Sequence, residues 1–181
     1  MPSLLKVPFL KYYGGLNSAG MRMLCYSAIE ECSLVCLEEL FTAGKFGENM
    51  HFVSGGDMVY ARSGSEDEKV TRGQWAAEAV LWVTWTHRGT LSARTSCEAF
   101  LVNAEKARHI MLEHQESVSV AAEYAQMISE VLDDVEHWTD LWSEQFTESF
   151  ARAACGAEAR DGSRKRQSTM VSMSNVFSLR V

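Results

Sequence analysis

The spacing of apolar positions changes three times along this chain. In the first stretch, Leu4 to Leu10 is apolar around Pro8. Met21, Leu24, Cys25, Ala28, Ile29 and Cys32 then recur at three and four residues, which predicts an N-terminal helical segment over 1–33. From Leu34 to Leu101 glycines become frequent and the apolar runs shorten and alternate. Met58 to Arg62 and Lys69 to Arg72 read as strands around the polar tip Ser63-Gly64-Ser65-Glu66-Asp67-Glu68, and Thr90 to Thr95 alternates as another. About eight short strands with regular turns imply a jelly roll or barrel. The helical period returns near Ala104 and lasts to about Cys155. Val118, Ala122, Ala125, Ile128, Leu132, Val135, Trp138, Trp142, Phe146 and Phe150 form one stripe, with Glu, Asp and Gln on the other face. One small barrel cannot cover so long a stripe. The helix 118–150 is therefore expected to pack, from Val135 onward, on the N-terminal segment or on another chain, by self-association or with a protein partner.

These patterns divide the chain into a helical segment 1–33, a strand-rich domain with C-terminal helices over 34–155, and a flexible basic and polar tail over 156–181. The fold class is α+β and mainly β, a double-stranded β-helix or jelly roll flanked by helices. Composition narrows the partners. With 181 residues, 46% of them hydrophobic, the chain builds one good core. A net charge of −7 speaks against a nucleic-acid surface. No apolar run reaches the ~18 residues that span a bilayer, and Lys6, Pro8 and Lys11 interrupt any signal-peptide core. The expected location is cytoplasmic. The five cysteines include no Cys-x-x-Cys pair, so reduced thiols are expected and no metal site. Gly-x-Ser-x-Gly, Walker and His-Glu-x-x-His motifs are absent, so no enzyme is expected.

Candidate chemistry concentrates in residues 74–97. Gln74-Trp75 leads into an apolar run with a single carboxylate, Glu78, and His87-Arg88-Gly89-Thr90 follows nine positions later, just ahead of a strand. Upstream stand Gly44-Lys45-Phe46-Gly47-Glu48-Asn49-Met50-His51-Phe52 and Val70-Thr71-Arg72-Gly73; downstream, Cys97 to Lys106 reads as a strand, a turn and a helix start. This succession, over roughly Leu34 to Met111, resembles the cyclic nucleotide-binding domain and its phosphate-binding cassette. The resemblance implies a jelly roll that senses cAMP or cGMP and transmits through the following helix, as in cytosolic modules of cation channels or regulatory subunits of protein kinase A. It also implies a site at Ala77, Glu78, Ala79, His87, Arg88, Gly89 and Thr90, with Glu78 on the ribose hydroxyl and no other cofactor.

Three positions depart from the family pattern. Ala77 stands where the family has the glycine before the glutamate, Ala76 replaces the preceding phenylalanine, and His87 holds the arginine position. Arg88, one residue on, points to the opposite face of an extended stretch. A histidine cannot form a guanidinium fork, and losing one charged hydrogen bond costs about 1.5–3 kcal/mol. Weak nucleotide binding is expected, with a non-binding interaction module, its pocket degenerate, as the alternative. In the tail, Arg164-Lys165-Arg166 precedes Ser168 and Thr169, the pattern of a basic-directed kinase site. The acidic helix face of Glu130, Asp133, Asp134, Glu136 and Asp140 is the surface on which this basic tail is expected to rest.

Overall fold

A computed structural model describes residues 4–134 and 138–158. A single 3-10 turn at Leu4–Lys6 leads into α1 (Pro8–Leu16) and α2 (Ser18–Ser27). Pro8 opens α1 where its missing N–H costs nothing, and Asn17 starts α2 by accepting a hydrogen bond from Gly20 N at 2.7 Å. The strands are β1 (Ile29–Leu34), β2 (Glu39–Phe41), β3 (Asn49–Gly55), β4 (Asp57–Ala61), β5 (Glu68–Thr71), β6 (Trp75–Ala76), β7 (Thr90–Ala93) and β8 (Cys97–Asn103). They form two antiparallel sheets, ordered β1-β8-β3-β6 and β2-β7-β4-β5. The jelly-roll class expected from the alternating runs is the class observed. The polar hairpin also falls where it was expected, between β4 and β5.

Residues 29–34 differ from their helical reading. Ile29 and Cys32 match a helical period, yet this segment is β1, paired with β8 from Ile29↔Val102 to Leu34↔Cys97. A helical continuation of α2 would gain only its own few hydrogen bonds, and short helices are marginal in water. The waiting edge of β8 supplies six ladder pairs instead.

After β8, Asn103 caps α3 (Ala104–Glu113), accepting from Lys106 N at 3.0 Å; α4 (Gln115–Asp134) and α5 (Glu144–Glu158) complete the chain. The stripe expected to run unbroken over 118–150 is thus two helices. Trp138 to Ser143 lies between them as a non-helical strap. Trp138, Trp142, Phe146 and Phe150 still stack in series, with neighbouring centroids 4.9–6.0 Å apart. The chain's own α1 packs against α5, and Tyr12 donates to Glu148 at 3.0 Å. The tail sites Ser168 and Thr169, and all of 159–181, lie outside the described residues, as does Glu136.

Two buried clusters result. One lies between the sheets and includes Val53, Met58, Tyr60, Val70 and Leu91; Leu141 of the strap packs against it. The other joins the helices to residues 75–85 and centres on Phe9, Tyr13, Trp82 and Tyr124. The segment between β6 and β7 therefore faces both.

Candidate ligand pocket

A 3-10 turn at Glu78–Leu81 follows β6, and Ala77 enters it with φ 60°. This is a left-handed conformation that an L side chain adopts at a cost of about 1 kcal/mol. After the turn, residues 85–87 run beside residues 44–47, through Gly47 N to Trp85 O, His87 N to Lys45 O and Gly44 N to His87 O, each at 2.9 Å. Gly89 then passes so close to β4 that a side chain there would strike the Tyr60 ring and the Ala61 carbonyl. That approach exposes two consecutive backbone N–H groups, of Arg88 and Gly89, to the space between the sheets.

Asp140 fills that space. Its side chain is fully buried. Oδ2 accepts from Arg88 N at 2.7 Å, Gly89 N at 3.0 Å and the Tyr60 hydroxyl at 2.7 Å. Oδ1 accepts from the Trp85 indole at 2.7 Å and meets His87 Nδ1 at 2.9 Å. Its backbone is held as well, since Ala77 N donates to the Asp140 carbonyl at 2.7 Å and the Tyr60 oxygen accepts from Asp140 N at 3.3 Å. Burial pushes this carboxyl up, but hydrogen bonds from His87, Trp85, Tyr60 and the Arg88 N–H outweigh it, and the net direction is down. The same carboxylate helps push the Tyr60 phenol up to about 12, after burial itself. Chemically, the site is an anion cradle with an internal anion in it.

Phe41 stacks on His87 with ring centroids 4.0 Å apart, and His51 lies beyond at 6.2 Å from His87. Burial and the neighbouring His87 press His51 down to about 3, against a pull from Asp140. Among the described residues His51 Nδ1 has no hydrogen-bond partner. An open hollow of about 470 Å³ exists elsewhere, against Leu34, Gly55, Gly56 and Cys97, but none of its lining residues belongs to this site.

No protein-family model matches the sequence, and no curated protein is similar to it at a significant level. Solved structures are similar in shape. The N-terminal domain of a transcriptional regulator from Streptomyces coelicolor A3(2) superposes with a TM-score of 0.55 at 16% identity, over 75% of this chain and 98% of that one. The C-linker/CNBHD of zELK channels, crystallised in the presence of cAMP, gives 0.54 at 18% identity, over 77% and 66%. The regulatory domain of Toxoplasma gondii PKA with cAMP gives 0.52 at 13% identity, over 74% of this chain and 48% of that one. This is the fold of the cyclic nucleotide-binding domain.

Within that fold, the seven residues expected at the ligand site separate. Ala77, His87, Arg88 and Gly89 converge on Asp140. Arg88 does so through its backbone alone, and its exposed guanidinium lies 5.1 Å over the Trp85 ring, on the opposite face from His87 as the strand offset predicted. Thr90 turns away and accepts from Ala43 N at 3.1 Å. Ala79 is buried in the 3-10 turn. Glu78, expected on a ribose, faces the helical layer, where its oxygens accept from the Trp75 indole and the Tyr124 hydroxyl of α4, each at 2.8 Å.

Sequence reasoning did not find Asp140, Tyr60, Trp85 or Tyr124 as site residues. Trp138 and Trp142, four apart, carry a helical period through Asp140 that places it on an exposed acidic face. The observed strap is stabilised by its own bonds, Trp142 Nε1 to Thr139 O at 3.1 Å and Leu141 N to Thr139 Oγ1 at 3.2 Å. The only sequence signal was a lone aspartate between two tryptophans. Among the described residues no helix is long and apolar enough to cross a membrane, and no group of His, Cys, Asp and Glu is placed to hold a metal ion.

Proposed function

We propose that this chain is a non-enzymatic, cytoplasmic regulatory module of the cyclic nucleotide-binding fold whose pocket is held by its own strap, and that cAMP or cGMP binds weakly because it must displace Asp140. One observation carries the reading: the backbone N–H pair and His87, where the family resemblance puts the phosphate, already hold a carboxylate together with two further donors, the Tyr60 hydroxyl and the Trp85 indole, at hydrogen-bond distance. A ligand that binds only the strap-free state loses affinity by the fraction of time that state is populated. If the strap is out about 1% of the time, binding weakens about 100-fold. The strap joins α4 to α5, so its displacement is the event the helices would transmit.

Calorimetry with each nucleotide tests this. The intact protein should bind at millimolar concentrations at best, and Asp140→Ala should tighten binding by on the order of tenfold or more. His87→Arg in the Asp140→Ala background should tighten it further by restoring the guanidinium fork. A variant that binds no better than the intact protein overturns the proposal.

A further inference from the structure

Glu78 is fully buried, 1% exposed, at the seam between the cassette and the helical layer. The bonds it accepts come from neutral donors, the Trp75 indole one turn before it and the Tyr124 hydroxyl on α4. The Trp82 indole N–H lies near the same carboxyl and favours its charged form, but among the described residues it has no hydrogen-bond partner of its own. Tyr124 is fully buried, with its ring 4.8 Å from both Phe9 of α1 and Trp82. Any outward movement of α4 therefore breaks the Tyr124 bond and lets water reach the carboxyl.

We infer that the Glu78–Tyr124 contact is a proton-operated latch: a protonated Glu78 keeps α4 seated on the cassette, and its ionisation loosens α4. The inference does not depend on what fills the pocket, because Glu78 faces the helices. An ionised carboxylate in an apolar seam gains by hydration, which α4 opening supplies, whereas a neutral acid gains little. Burial pushes Glu78 up to about 7, against the hydrogen bonds from Tyr124 and Trp75 and the pull of the nearby Trp82 N–H. The seated arrangement thus keeps a proton that a free carboxyl releases near its ordinary value of 4.5. Across that window stability falls as pH rises, and it levels off above the folded value.

Other groups on the surrounding elements set the background. Tyr124 on α4 is raised well above its ordinary range by burial and by Glu78 itself, so it stays protonated throughout. Tyr13 on α1 is raised by burial too. Arg108 on α3 donates to the Val80 carbonyl at 2.7 Å and is lowered by burial. Asp140 on the strap is shifted down and stays ionised. His51 on β3 matters most, because its shift to about 3 makes stability fall as pH drops below 6.5. The two trends oppose each other in the range they share, so a raw pH curve of the intact protein hides the latch.

The test compares urea unfolding and hydrogen exchange, corrected for intrinsic rates, of the intact protein and Glu78→Gln from pH 5 to 8.5. Relative to the variant, the unfolding constant of the intact protein should climb by up to about tenfold per pH unit and flatten above about pH 7. Protection in α4 should fall over the same window while β3 and β8 stay protected, and Glu78→Gln should keep α4 protected throughout. Should Glu78→Gln fail to fold, Tyr124→Phe serves: it removes a donor to the carboxylate, so the loss of α4 protection should continue to higher pH before it levels off. Parallel pH curves, or protection lost equally from α4 and the sheets, overturn the latch.

Discussion

Asp140→Ala removes the one side chain on which both arms of the cassette converge. The substitution leaves Tyr60, Trp85, His87 and the N–H groups of Arg88 and Gly89 facing a space with no acceptor. Counting about 1–3 kcal/mol for each abandoned donor gives an impossible total, because water enters the vacated space and one carboxylate shared all five bonds. Removing one partner from a buried charged network costs about 3–5 kcal/mol, and that is the expected loss. With an m-value of about 2 kcal/mol/M for urea, the unfolding midpoint should drop by roughly 2 M at unchanged slope. Formate, a carboxylate small enough to replace the lost one, should restore part of the stability as RT ln(1 + [L]/Kd), about 2.7 kcal/mol at a hundredfold excess over Kd. Asp140→Asn keeps the shape and should lose less. A loss under about 1 kcal/mol would mean that the strap is not an internal ligand, and equal stabilisation of intact protein and variant by formate would show a general salt effect.

Acid should release the strap. Asp140 lies below its ordinary 3.8, so its contribution is present above that value and is lost as pH falls through its lower folded one; Trp fluorescence of the intact protein, but not of Asp140→Asn, should report the change. Leu37 is 79% exposed at φ 73°, so Leu37→Asn should raise stability by about 0.5–1 kcal/mol in urea unfolding, since Asn tolerates that backbone and little apolar burial is lost. Ala77→Gly should be neutral or slightly stabilising for the same conformational reason, whereas Ala79→Gly, in the turn that follows, should cost about 1 kcal/mol. Trp142→Ala should cost about 3–5 kcal/mol and loosen α5, seen as lost exchange protection there, because Trp142 is buried between Phe146 and Trp138.

Much of this protein is local, and the sequence carried it. The alternation of Met58 to Arg62 and of Thr90 to Thr95, with glycines and polar tips between, determines strands by itself, because one face of each strand must be apolar to be buried. Pro8 marks a helix start by its fixed φ and missing N–H, and Asn17 and Asn103 do so through bonds within a single turn. The inward His87 and outward Arg88 follow from the two-residue period of extended chain. Other features depended on partners far along the chain. Residues 29–34 carry helical spacing but take the ladder that β8 offers. Glu78 reads as a ligand carboxylate until Tyr124, 46 positions away, supplies the hydroxyl that turns it to the helices. Asp140 keeps the periodicity of an exposed helix face, and only folding brings it to donors 51 to 80 residues earlier in the chain. Local periodicity reports which face of an element is apolar. It does not report which distant donors a buried carboxylate will meet, and in this fold those donors decided the site.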